Sequence, residues 1–264
     1  MSASWLTEEE RKYASHRVSS ERVNADDELV DKFNWTKLSR GIFNPVVIMT
    51  SVIFLLNSIT VQGASFFLPT LVATIFPNED VRIKQLLTVP PYVLGAIFCV
   101  GTSYFSWRMR RRGVFLIGCA VLTVVGYTMF IATHNPKIRY GAIFLPFFGM
   151  FTYGALTNSH VAANVASDTA RSSAIGLNVM CGSIGGLAST WAFVPSDAPY
   201  YNIGTGLNLA AQASIIIVAT ALYFWIKKDN KKRDKVDSTQ VLAGMSASDI
   251  QNLDWKHPDF RWQQ

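Results

Sequence analysis

Residues 45–70 read PVVIMTSVIFLLNSITVQGASFFLPT, without one Asp, Glu, Lys or Arg. At 1.5 Å rise per residue, about 20 such positions match a hydrocarbon core about 30 Å thick, so the stretch reads as a membrane-crossing helix. Working outward, five further uncharged runs follow at 85–106, 114–132, 140–164, 172–193 and 204–226. Charges between them are confined to clusters at 79–84 and 108–112, Lys137 with Arg139, Asp168 with Arg171, and Asp197. A soluble chain would scatter its charges along amphipathic helices. No segment alternates as a barrel strand does, and backbone in lipid must satisfy itself, so the runs are expected to be helices. The pattern predicts an all-α membrane protein. Residues 1–43 form a polar segment, 44–226 a six-helix transmembrane domain, and 227–264 a basic, then aromatic, tail.

Net charge is +6, which invites a nucleic-acid reading. The excess sits beside apolar runs, where anionic lipid and topology account for it, and no zinc spacing or stacking motif accompanies it. Nucleic acid is therefore not an expected partner; the lipid bilayer is. Of the 24 lysines and arginines, all but Arg82, Lys84, Lys137 and Arg139 fall on one side of a six-span layout. The positive-inside bias then puts both termini in the cytoplasm, and a plasma-membrane location is expected. The first forty residues hold no apolar core, so the first span is expected to act as its own insertion signal. Cys99, Cys119 and Cys181 lie within apolar runs, and neither a disulfide framework nor a metal site is expected.

Several polar side chains interrupt the runs. Ser58, Gln62 and Ser65 share one helical face with Asn57 nearby. Pro90-Pro91 should bend or break the second span. Tyr153, Thr157, His160 and Asn164 recur at spacings of four, three and four, giving one stripe. Gly182, Gly185 and Gly186 make a small-residue face beside Asn178, suited to close helix contact. Asn208 and Gln212 lie one turn apart. His160 is the one histidine deep inside a span, and intramembrane ionisable groups default to functional hypotheses. The alternative is a neutral imidazole bonded to a neighbouring helix. Polar amides within spans also act as interhelical glue, worth about 0.6 kcal/mol each, yet several together favour a polar cavity. Arg108, Arg110, Arg111 and Arg112 form a surface loop, because each arginine at the core would cost roughly 3 kcal/mol. That loop reads as topogenic charge or as a gate that pairs with acidic groups.

Catalysis is not expected. Gly182-Ser183-Ile184-Gly185 is not a nucleophile motif, no HExxH or paired intramembrane aspartates occur, and a phosphate-binding glycine loop is absent. No cofactor is expected either. In the tail, Ser248 with Gln251 is a candidate capping box; the aromatic run LDWKHPDFRW at 253–262 has no sequence-level mechanism.

Six stretches carry a family pattern: Phe66-Phe67-Leu68-Pro69-Thr70, Leu86-Leu87-Thr88-Val89-Pro90-Pro91-Tyr92-Val93, Arg110-Arg111-Arg112-Gly113, Asn135-Pro136-Lys137-Ile138-Arg139-Tyr140, Gly185-Gly186, and Asp197-Ala198-Pro199-Tyr200 before Gly204. With them the chain resembles the C-terminal half of fungal major facilitator superfamily transporters of the anion:cation symporter branch, which includes allantoate permease-like and nicotinate permease-like proteins. Trp5-Leu6-Thr7-Glu8-Glu9-Glu10-Arg11 resembles the linker between that family's halves. Two departures stand out. The family's Ser-Asp-Arg is Ser106-Trp107-Arg108 here, and its Trp with a paired Asn-Asn is replaced by His160 and Ala163-Asn164.

The resemblance implies one half of a twelve-span bundle, itself two inverted three-helix repeats, with a solute site at mid-membrane between halves. It implies proton symport of a small organic anion, a carboxylate or ureide such as nicotinate or allantoate. Asn57, Gln62, Tyr153, His160, Asn164 and Asn178 would then line the substrate path, with the Tyr153 stripe facing the other half. A truncated, inactive product is the expectation, ahead of assembly with a second six-helix half. A non-transporting scaffold or sensor, acting through the tail, is the rival.

Overall fold

The computed structural model describes residues 7–10, 12–13, 34–198, 200–246, 249–250 and 252–264. The Ser248–Gln251 capping box lies outside the described residues, as do Trp5, Leu6 and Arg11 of the linker-like stretch. Among those described, every regular element is helical.

The helices start where asparagine and proline dictate. Asn44 Oδ1 accepts from the N–H groups of Val46 and Val47 at 2.9 and 3.2 Å, and Pro45 follows at the first helical position. Asn135 repeats the device, accepting from Lys137 N at 3.1 Å ahead of Pro136. Both satisfy amides that a helix start leaves without partners. The elements are α1 (Trp35–Ile42), α2 (Pro45–Ile75), α3 (Val81–Leu86), α4 (Val89–Met109), α5 (Arg112–Ala132), α6 (Pro136–Met150), α7 (Thr152–Ala163), α8 (Asp168–Ser189), α9 (Asn202–Arg233) and α10 (Ser238–Leu242). Short 3-10 turns occupy Pro195–Asp197 and Asp254–Lys256.

Among the described residues, five stretches are long and apolar enough to cross a membrane: Pro45–Ile75, Val81–Met109, Arg112–Ala132, Pro136–Ala163 and Asn202–Arg233. The run expected at 172–193 is helical as α8, and its 22 residues would extend about 33 Å. It is diluted, however, by Asp168, Arg171, paired serines and several glycines, and it does not join the five. Pro90 and Pro91 meet the expected break in the second span: the helix stops at Leu86, turns at residues 87–88 and restarts at Val89. Both prolines sit in the first turn of α4, where their missing N–H groups cost little. The fourth span is also discontinuous. Pro146 lies in α6, and the chain breaks stride at Phe151 before α7.

α2 runs parallel to α8, with Gly41 ahead of it beside Ala170, Phe54 beside Gly182 and Gln62 beside Gly186. By contrast, α9 packs antiparallel on α2 and α5, and α6 antiparallel on α5. A Cβ on Gly185 would overlap the Leu55 carbonyl oxygen, and one on Gly182 would overlap the Phe54 ring. These glycines let α2 and α8 approach backbone to backbone. One apolar core joins Ile53, Leu116, Tyr153, Ile215 and Leu222. A second, at the other end, joins Leu68, Val72, Phe130, Ile143 and Phe147. The first core adjoins the end that carries α1, the arginine loop and the last helical turns of α9, here called the basic end. Exposed Val93, Ile97, Val100 and Phe105 give α4 an apolar outer face, as expected of a surface that meets lipid or another helix.

Candidate functional site

The break between α6 and α7 exposes backbone carbonyls inside the bundle, and α2 supplies the answering side chain. Asn57 Nδ2 donates to Met150 O at 3.1 Å. Its Oδ1 accepts from Gln212 Nε2 at 3.2 Å, and that same nitrogen donates to Thr60 Oγ1 at 3.0 Å. Asn57 thus joins three elements: α2, the α6–α7 junction and α9. One turn before Gln212, Asn208 Nδ2 donates to the Tyr127 hydroxyl of α5 at 3.2 Å. All these side chains are buried.

A second group runs along α7. The Tyr153 hydroxyl donates to Leu116 O at 2.6 Å, and Thr157 Oγ1 donates back to Tyr153 O at 2.7 Å. Asn178 of α8 donates to Asn158 Oδ1 at 3.0 Å and, more weakly, to Thr157 Oγ1 at 3.5 Å. His160 Nδ1 lies 3.1 Å from Thr50 Oγ1, and the tautomer decides which of them donates. Asn164 ends the row, with Nδ2 donating to His160 O at 2.8 Å and its own carbonyl accepting from Asn44 Nδ2 at 2.9 Å.

Among the described residues, His160 Nε2, Asn178 Oδ1, Asn208 Oδ1 and Gln212 Oε1 are buried without a hydrogen-bond partner. Such groups are few in native interiors and carry a desolvation cost. Polar capacity is therefore left over inside the bundle.

The six residues expected to line a path do not form one surface. Tyr153, His160, Asn164, Asn178 and Asn57 are each at most 1% exposed, so the stripe packs within these helices and does not face outward. The reason is local, since each member finds a carbonyl, hydroxyl or amide on a neighbouring helix. Gln62 stands apart on the outer face of α2, beside Gly186. Asn158, Thr50, Thr60 and Tyr127 belong to the networks but were not legible as such. Asn158 follows Thr157 directly, and a stripe drawn at spacings of three and four passes over it.

The arginine loop divides too. Arg108, Arg110 and Arg111 are exposed, and Arg110 turns the chain through a left-handed conformation at φ 53°. Arg112 is partly buried and donates to Ser159 O at 2.9 Å. Among the described residues none of the four pairs with a carboxylate, and exposed Trp107 stands where the family pattern has its acid.

Asn57→Leu is expected to cost about 2 kcal/mol or more, because Met150 O and Gln212 Nε2 lose their partner in an apolar interior. Gln62→Leu should stay within about 0.5 kcal/mol. Thermal unfolding of the two solubilised variants checks the contrast; equal effects would mean the Asn57 junction contributes nothing.

Long apolar helices with their amides and hydroxyls turned inward define an integral, multi-pass membrane protein. The chain belongs to the Major Facilitator Superfamily, whose sequence profile matches residues 2–190. It is similar to the high-affinity nicotinic acid transporter of Saccharomyces cerevisiae, at 28% identity over 98% of this chain and 48% of that protein. It is similar to the MFS-type transporter cnsO of Penicillium expansum, at 28% identity over 98% of this chain and 50% of the relative. The major facilitator-type transporter hxnP of Emericella nidulans is 26% identical over 99% of this chain and 52% of its own length. The chain spans about half the length of these curated relatives.

Proposed function

We propose that this chain forms one half of a proton-coupled transporter for a small organic anion, a carboxylate or ureide of the size of nicotinate or allantoate. The observation that carries the reading is the similarity to a named nicotinic acid transporter along 98% of this chain but 48% of the relative. In this reading α2, α4, α5, α6 with α7, α8 and α9 are six spans arranged as two inverted three-helix repeats. Glycine-rich α8 crosses the membrane in the company of α2 instead of facing lipid alone. A second six-helix half supplies the opposite wall, since alternating access needs two bodies rocking about a shared site. Both termini lie in the cytoplasm of a plasma-membrane protein, as the basic residues at 108–112 and 227–235 require.

Joining the first six spans of the yeast relative to this chain and expressing the product in cells lacking nicotinate uptake tests the reading. Saturable nicotinate or allantoate uptake that an uncoupler abolishes is the expected result. Saturable uptake by the 264-residue chain alone in liposomes would overturn the half-transporter reading. A well-expressed joined protein that moves neither solute would overturn the substrate class.

A further inference from the structure

We propose that the aromatic segment 252–264 is a docked plug that closes the basic end of the bundle over His160, and that its release opens a route from that end to the imidazole. Any consequence for transport rests on the half-transporter reading above; the docking does not.

The segment is held by helix ends. Gln263 N donates to Asn164 Oδ1 at 2.9 Å, while Asn164 Nδ2 donates to Gln263 O at 3.2 Å. This reciprocal pair makes the Asn164 amide imitate a neighbouring strand. Arg112 N, a first-turn amide of α5, donates to Gln264 O at 2.9 Å, so the segment occupies a donor that the helix cannot satisfy itself. The Asp254 carboxylate accepts from Ala166 N at 3.2 Å, Ser167 N at 3.0 Å and Ser167 Oγ at 2.7 Å. It thereby places a negative charge at the start of α8, where the helix dipole favours one. Asp254 does this with φ at 51°, a backbone conformation that non-glycine residues rarely adopt without compensation.

On the α9 side, the Arg233 guanidinium donates to the carbonyls of Trp255, His257 and Phe260 at 3.1, 3.2 and 3.4 Å. One cation therefore shapes the turn. Trp262 Nε1 donates to Asp229 Oδ2 at 2.7 Å, and the Trp262 backbone exchanges two bonds with the Asn230 side chain. Phe260 and Trp262 are 6% and 3% exposed and belong to the same core as Leu222 and Ile226. The Trp255 indole reaches across to donate to Arg40 O of α1 at 3.0 Å.

What the segment covers is specific. His160 bonds Thr50 through Nδ1 and leaves Nε2 without a partner. The imidazole borders a small cavity lined by Gly113, Leu116, Leu222, Tyr223, Ile226 and Gln264. Gln264 alone of the lining residues belongs to the segment; the others are helix residues. Four of the docking bonds go to helix-end backbone groups, Arg112 N, Ala166 N, Ser167 N and Arg40 O. Most of the rest go to side chains of Asn164, Asp229, Asn230 and Arg233. Water can satisfy both kinds once the segment leaves, so release strands few polar groups. The apolar cost of release falls mainly on Phe260 and Trp262.

Deuterium exchange at the imidazole carbon of His160, followed by mass spectrometry in nanodiscs, tests the plug. His134 is exposed at the far end and serves as the internal reference. Asp254→Ala removes the capping carboxylate and should raise the undocked population about five- to tenfold, accelerating exchange at His160 by a similar factor. Deleting 252–264 should accelerate it further, and His134 should not change in either protein. If the deletion melts the helices, Asp254→Ala and Trp262→Ala carry the test. Exchange at His160 that stays at the parent rate in both point variants overturns the proposal. Backbone amide exchange rising by the same factor in the interiors of α2 and α8 overturns it too, since that is loosening of the whole bundle. Because nothing in this measurement requires transport, the plug and the transporter reading fail separately.

Discussion

Gly185→Ala is expected to lower the melting temperature of the solubilised chain by about 4–10 °C, whereas Gly176→Ala in the same helix should hold or raise it. Alanine is the better helix former by up to about 1 kcal/mol, so propensity alone predicts stabilisation at both positions. Space separates them. A Cβ at Gly176 meets nothing within 4 Å, while one at Gly185 overlaps the Leu55 carbonyl oxygen and lies 3.0 Å from the Leu55 carbonyl carbon. Backbone cannot swing aside as a side-chain tip can. The new methyl must therefore push α8 off α2 along the contact that also holds Gly182 against Phe54. Relief would come only by separating α8 from α2, and α8 is also tied to α7 through Asn178. Circular dichroism melts of the two variants in one detergent decide the matter, and a Gly185→Ala protein as stable as its parent would show that the helices are not in backbone contact.

That contact was readable in advance, and the reason is instructive. Glycines at 182, 185 and 186 leave a groove whatever else surrounds them, because the feature depends on one helix only. The apolar runs were legible for the same reason, each carrying its own length and lack of charge. Helix starts at Asn44-Pro45 and Asn135-Pro136 are likewise local chemistry. The polar stripe on α7 differs. Its periodicity told which residues share a face, but not what that face meets, and Tyr153, Thr157, His160 and Asn164 all proved to be engaged within the bundle. Whether a polar face turns toward a partner or inward depends on carbonyls and hydroxyls on other helices, which no single segment encodes. The Asn57 junction was illegible for a further reason. Its acceptor is the Met150 carbonyl, set free by the stride break at Phe151, and a backbone acceptor leaves no mark in composition. The aromatic run at 253–262 was visible yet mute, since its meaning lies in Asn164, Arg112 and Asp229, residues 30 to 150 positions away along the chain.

In the joined protein made with the upstream half of the yeast relative, His160→Ala is expected to reduce anion uptake at least about tenfold at acidic external pH. It should also flatten the dependence of uptake on pH. An imidazole changes charge near neutral pH, which suits a group that loads on one side of a membrane and unloads on the other. The groups facing it are few. Thr50 of α2 lies 3.1 Å from Nδ1, Arg112 of α5 bonds the carbonyl of neighbouring Ser159, and Tyr223 of α9 shares its cavity. Among the described residues, no Asp or Glu side chain lines that cavity. Loss of the ring removes the carrier, whereas Thr50→Val removes only its anchor. Thr50→Val should therefore lower the maximal rate by a few-fold and leave the shape of the pH profile intact. A purely structural histidine predicts the reverse ordering, with both variants expressed poorly and every surviving molecule showing the parent's profile. Rates must accordingly be normalised to folded protein at the membrane. A His160→Ala protein that retains the parent's pH dependence at a normal rate would exclude His160 from coupling, and would leave its contact with Thr50 as helix packing alone.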